Sequence, residues 1–169
     1  VQMKNVNGKE DTAFTVQYDF CMPDRFKLEY IDKDGEKKKA FVVHRSSIGA
    51  IERIMAFLIE KYEGAFPLWL SPEQIRVLPV AEAHNEYAQS VVEKLKEVGI
   101  RADIDDSGES LGKKIRNAKE DKLPYFVVVG DKEMESGILT LEVRDGSKIE
   151  AGLEEVIAKL QEEIKSRSL

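Results

Sequence analysis

A histidine and two arginines stand close together in the stretch FVVHRSSIGAIERI, as His44, Arg45 and Arg53, with Glu52 beside the last. An imidazole is a common metal ligand. A guanidinium stays charged and offers a planar fork of donors, suited to phosphate oxygens and to stacking on a base. Brought together at a strand–helix junction, His44 and Arg53 could serve a metal and a phosphate. The plainer reading is a core histidine and a surface arginine, and spacing alone does not decide between them. Further along, Lys113, Lys114, Arg116, Lys119 and Lys122 gather on one short predicted helix. That is a local positive patch of the kind that meets a nucleic-acid backbone. Glu133 follows in a Gly-Asp-Lys-Glu turn, where a carboxylate can accept from the N–H groups of a base edge or simply face solvent.

The elements that must hold these groups are legible in the patterning. Phe41-Val42-Val43 reads as a strand end, and Ile48, Ile51, Met55, Leu58, Ile59 and Tyr62 recur at helical spacing after it. Ser46 or Ser47 can cap that helix and Gly64 can end it. Before it, Asn7-Gly8 marks a hairpin turn, as does Asp34-Gly35 between Lys27–Ile31 and Lys39–Val43. In Phe14–Phe20 the apolar residues alternate with Thr15, Gln17 and Asp19. The three polar groups form either a pocket wall or the wet face of an antiparallel sheet. Residues 1–45 thus read as antiparallel strands on which the following helix packs. They are too few to close a domain, and residues 1–70 read as the tail of a larger fold.

From Ser71 the pattern changes to alternating strands and helices. Strands are predicted at Ile75–Val80, Ile100–Ile104, Pro124–Val129 and Ile138–Val143. Helices run from His84-Asn85 to Gly99, with Tyr87, Val91, Val92, Leu95 and Val98 inward, from Leu111 to about Asp121, and from about Gly152 to Lys165. Ser110 can cap the second of these, and His84 helps to start the first. The run PYFVVV is apolar throughout, as expected of a strand covered on both faces. This alternation predicts an α/β class: a three-layer α/β domain with a mostly parallel sheet over residues 71–169, following a partial antiparallel sheet with a helix.

Composition bounds the rest. The chain has 169 residues, 42% hydrophobic and 34% charged, which is ordinary for a water-soluble globular protein. No apolar run approaches the roughly 20 residues of a membrane helix, and VQMKNVNGKEDT has no apolar core of a signal peptide. One cysteine, Cys21, rules out an internal disulfide framework and fits a reducing cytoplasm. A net charge of −6 argues against a general nucleic-acid coat but leaves room for a local basic patch.

His44, Arg45, Gly49, Glu52 and Arg53 match the pattern H-R-x-x-x-G-x-x-E-R, and Phe66, Pro67, Trp69 and Leu70 match F-P-x-W-L. In these and nearly to Leu169 the chain resembles the class II threonyl-tRNA synthetases, from motif 3 through the anticodon-binding domain. What the resemblance implies is a ligase that activates threonine with ATP and transfers it to its tRNA. Residues 1–70 would end the class II catalytic domain, and residues 71–169 would form the anticodon-binding domain. Arg53 would then bind ATP, with Thr15 near the adenylate and Gln17 near the threonine side chain. His44 stands where the family places its last zinc-binding histidine. A zinc that takes the hydroxyl of threonine discriminates against valine, which lacks it. The resemblance also implies Mg2+ with the nucleotide, a homodimer, and tRNA for threonine as partner. Glu133, Lys114, Arg116 and Arg144 would meet the anticodon.

The chain departs from the family pattern in several places. The other zinc ligands and motifs 1 and 2 have no counterpart here, and Cys21 does not match the family cysteine, so this stretch alone is expected to be inactive and to bind no cofactor tightly. Gly108 stands where many members carry an asparagine, and Glu142 where bacterial members have an arginine, for which Arg144 would substitute on the same strand face. A second reading is a non-catalytic tRNA-binding accessory module, which would not need His44 and Arg53. A third is a small-ligand α/β domain, but AEAHNE after Val80 lacks a phosphate-cradling glycine loop.

Overall fold

Asn7-Gly8 turns the chain back on itself with Gly8 at φ 74°, pairing β1 (Gln2–Lys4) with β2 (Glu10–Thr12). The computed structural model describes residues 1–168 and divides into two units, Val1–Glu63 and the chain from Gly64 onward. In the first unit, β3 (Thr15–Asp19) leads into a short helix, α1 (Cys21–Arg25). The hairpin of β4 (Glu29–Ile31) and β5 (Lys37–Lys39) turns at Gly35, φ 77°. Phe41–Val43 does not extend that hairpin as expected. It enters β6 (Val42–Ser46), which runs antiparallel to β3 and sets Thr15 opposite Ser46 and Gln17 opposite His44. The partial antiparallel sheet is therefore three separate two-stranded ladders.

The helix after β6 also differs from expectation. α2 spans Ile51–Tyr62, and neither Ser46 nor Ser47 caps it. Ser46 Oγ instead accepts from Gly49 N–H at 2.8 Å and closes a turn that leaves Ile48 outside the helix. Gly49 has φ 71°, and a Cβ there would lie 2.5 Å from the Ala13 carbonyl oxygen, so only glycine fits. No residue of α2 is buried, and Ile51, Met55 and Ile59 are exposed. Helical periodicity requires a covering surface for that stripe, and the described residues of this unit do not supply one. At the far end Glu63 takes the left-handed conformation and Gly64 follows with φ 79°.

The second unit begins at Gly64, earlier than the expected boundary at Ser71. Leu68 is buried in its core, and the buried Gln74 side chain ties Leu68 O to Arg101 N. A five-stranded sheet forms the middle layer. Its strands are β7 (Ile75–Pro79), β8 (Ala102–Ile104), β9 (Tyr125–Val129), β10 (Ile138–Val143) and β11 (Lys148–Gly152), in the spatial order β11-β10-β9-β7-β8. The β7–β8 and β7–β9 pairings are parallel, while β9–β10 and β10–β11 are antiparallel. The sheet is mixed because β10 returns antiparallel to β9, and Asp145-Gly146 then folds β11 back on β10 as a hairpin, a strand the patterning did not predict.

Alternation along the central strands separates two cores. Ile75 and Val77, Tyr125, Val127 and Val129, and Leu139 and Leu141 face α3 (Asn85–Glu97) and α6 (Leu153–Ser166). Leu78, Phe126 and Val128 face α4 (Leu111–Glu120) on the other side. These are the three expected layers. Within α3, Val91, Val92 and Leu95 are buried as predicted and Ala88 joins them, but Val98 lies past the helix end and is exposed. The Gly130–Glu133 segment, expected as a turn, opens a short helix, α5 (Asp131–Ser136).

Leu95→Ala is expected to destabilise the second unit by about 2–5 kcal/mol through lost burial and a cavity. Val98→Ala should fall within about 0.5 kcal/mol of wild type. Urea unfolding midpoints of the two variants check the contrast.

Candidate functional site

On the polar face of the β3–β6 ladder, Asp19 is the hub. Its Oδ1 accepts from the N–H groups of Cys21 and Met22 at 2.8 and 2.9 Å, and its Oδ2 lies 2.9 Å from His44 Nε2. A carboxylate only accepts, so Nε2 carries the proton and Nδ1 of a neutral ring keeps a lone pair. The bond from Met22 N–H and then that from His44 hold the Asp19 carboxyl below the usual aspartate range. Gln17 and His44 line one open depression with Asp19 and Cys21. Thr15, half-buried, lies two residues from Gln17 on the same face.

Arg53 does not join them. Its guanidinium donates to Thr12 O at 2.8 Å and lines a different depression with Asn5, Asp11 and Glu60. The expected pairing of His44 with Arg53 is thus two separate places on the unit. Among the described residues there is no group of three or more His, Cys, Asp or Glu side chains that could hold a metal ion.

In the second unit the lysines do not form one free patch. Lys114 is buried, 4% exposed, and its ammonium donates to Asp105 O at 2.8 Å and Pro79 O at 3.2 Å. It fastens α4 to the carboxyl ends of β7 and β8, beside a crevice lined by Ala81, Glu82, Asn85, Asp106 and Gly108. Lys113 is paired with Glu109, and Lys119 with Glu142 at 2.7 Å. Arg116 is exposed on α4.

Arg144 lies past the end of β10, not on its face as expected. It donates to Lys122 O and Phe66 O, each at 2.8 Å, and burial lowers its pKa from the ordinary arginine value. Glu133 is half-buried, and its Oε2 accepts from Gly130 N–H at 3.0 Å, capping α5 from within. A second carboxylate oxygen remains on the same group. The patterning missed a buried histidine here: His84 accepts from Ala81 N–H and meets Asp131, 47 residues away. A partner so distant in sequence leaves no local signal.

Residues 74–163, more than half of the chain, match a family model described as Anticodon binding domain. The chain belongs to this family. The chain is also similar to longer proteins. A threonine–tRNA ligase of Clostridium botulinum (strain Eklund 17B / Type B) is 55% identical over 133 residues, covering 79% of this chain and 21% of that protein. A threonine–tRNA ligase of Listeria monocytogenes serovar 1/2a is 47% identical over 167 residues, covering 95% of this chain and 26% of that protein. The chain therefore spans about a fifth to a quarter of the length of these relatives. Among solved structures, the RNA binding domain of threonyl-tRNA synthetase from Cryptosporidium parvum Iowa II superposes with a TM-score of 0.79 at 32% identity. That match covers 95% of this chain and 41% of the other.

Glu142 is 9% exposed in the anticodon-binding unit and sits between Lys119 and Lys148, 2.7 and 3.3 Å away. Burial works to raise its pKa, but the two ammonium groups overcome it and the carboxyl titrates below the usual glutamate value. Its contribution to stability is fully present above the unfolded-state pKa of about 4.3 and is lost as pH falls through the lower folded value. Glu142→Gln is expected to cost about 1 kcal/mol at pH 7 and nothing once the native carboxyl is protonated. Urea midpoints measured from pH 7 down to about pH 2 test this.

Proposed function

We propose that this chain is part of a threonine–tRNA ligase that activates threonine with ATP and transfers it to its tRNA. The observation that carries the reading is the similarity to such ligases over 95% of the chain, which extends through both units and not only through the anticodon-binding family match. In this reading the second unit binds the anticodon of a threonine-accepting tRNA. Single-stranded, splayed bases are read by side-chain hydrogen bonds while cations meet the phosphates. Glu133 is the base-edge acceptor, and Arg116 is an exposed cation of α4 that meets the phosphates. Lys114 shapes the surface from beneath and Arg144 braces it from the exposed side, because their donors go to carbonyl oxygens of the fold.

The first unit contributes Arg53 to ATP, with its Mg2+, and Thr15 and Gln17 to the adenylate and threonine. Zinc fits this stretch only in part. His44 offers a lone pair on Nδ1, oriented by Asp19, but a catalytic zinc takes three protein ligands, and the described residues do not complete the set. The intact ligase is read as a cytoplasmic homodimer.

Binding of this chain to transcripts of threonine-accepting tRNA, unaltered and with the anticodon changed, tests the reading across a salt series. The expected result is preference for the unaltered transcript by roughly tenfold or more, lost in Glu133→Ala. Equal binding to every transcript, weakening only with salt, would reduce the interface to a charged surface and overturn the anticodon assignment.

A further inference from the structure

His84 lies in the short turn Glu82–His84 that follows β7, 6% exposed, with both ring nitrogens engaged. Nδ1 accepts from Ala81 N–H at 3.1 Å, and Nε2 lies 3.0 Å from Asp131 Oδ1. A ring nitrogen that accepts from an amide carries no proton, so Nε2 bears the hydrogen and donates it to the carboxylate. The ring thereby joins the loop after β7 to the first residue of α5. Around it, Gly130 packs on Val80, where a Cβ would come within 3.2 Å of Val80 Cγ2, and Gly130 N–H is the group that Glu133 caps. No residue of α5 is buried, so hydrophobic packing alone does not place that helix.

We propose that His84 is a positioning residue for tRNA recognition. It does not touch the nucleic acid; through Ala81 and Asp131 it holds the start of α5, and with it Glu133, in register with the loop after β7. The proposal rests on the reading of Glu133 as the base-edge acceptor. Without the ring, α5 samples other placements and only part of the population presents Glu133 correctly, which lowers apparent affinity for the matching anticodon in proportion.

The test uses the full chain with His84→Ala, His84→Gln and Glu133→Ala. Glutamine offers one acceptor and one donor on the same planar group, as the neutral imidazole does. His84→Ala is expected to reduce discrimination between the unaltered and anticodon-changed transcripts by on the order of tenfold while leaving the salt slope unchanged. His84→Gln should restore most of the discrimination. Amide hydrogen exchange adds a readout free of RNA: Gly130 should exchange faster in His84→Ala, while Val127 in the central strand stays protected. Undiminished discrimination in His84→Ala, beside a Glu133→Ala that has lost it, would overturn this proposal alone. Undiminished discrimination in Glu133→Ala would instead overturn the base-edge reading on which it rests.

Discussion

β9 has to hide both of its faces, and much of the second unit follows from that requirement. Tyr125, Val127 and Val129 point to one side and Phe126 and Val128 to the other, so helices must lie above and below. β7 and β10 must flank it to satisfy its amide and carbonyl groups. A strand hydrogen-bonded on both edges and covered on both faces has no freedom of register. Its end is therefore a fixed platform, and Gly130, Asp131 and Glu133 stand on it. The carboxyl ends of β7 and β8 are brought level by the Lys114 ammonium, whose two carbonyl acceptors come from different strand ends.

Charge in this unit works in two ways. Lys114 and Glu142 are drawn into the fold, where an unpaired charge would be costly and each has found partners, while Arg144, at the surface, gives its donors to backbone carbonyls. Arg116 and the free side of Glu133 stay near solvent, where a ligand can compete for them. Residue type alone does not separate these roles. Two lysines adjacent in sequence, Lys113 and Lys114, lie on different faces of α4, one exposed and one almost fully buried.

Local patterning made most of the second unit legible. β7, β9, β10, α3, α4 and α6 follow from apolar runs and helical spacing, because there the buried pattern and the local propensity agree. β11 escaped because Lys148–Gly152 is short and polar and exists only through its hairpin with β10. In the first unit the strands of the hairpins were readable from Asn7-Gly8 and Asp34-Gly35, but the pairing of β3 with β6 depends on contacts between residues far apart in sequence. For the candidate site, Glu133 and His44 were identifiable by motif, yet the bonds that orient them were not. Asp19 with His44 and His84 with Asp131 are separated by 25 and 47 residues, and only the folded chain sets them side by side.

The two units differ in how much they owe to themselves. The second closes its core with its own helices, whereas in the first Tyr18, Phe20 and Phe41 gather with ring centroids 5.1–6.1 Å apart and remain exposed. A unit with a closed core can vary its loops, or be exchanged between proteins, without disturbing chemistry carried elsewhere. Substitutions in the loops after β7 and β9 are then free to reshape that surface, while the residues on the β3–β6 ladder answer to separate selection.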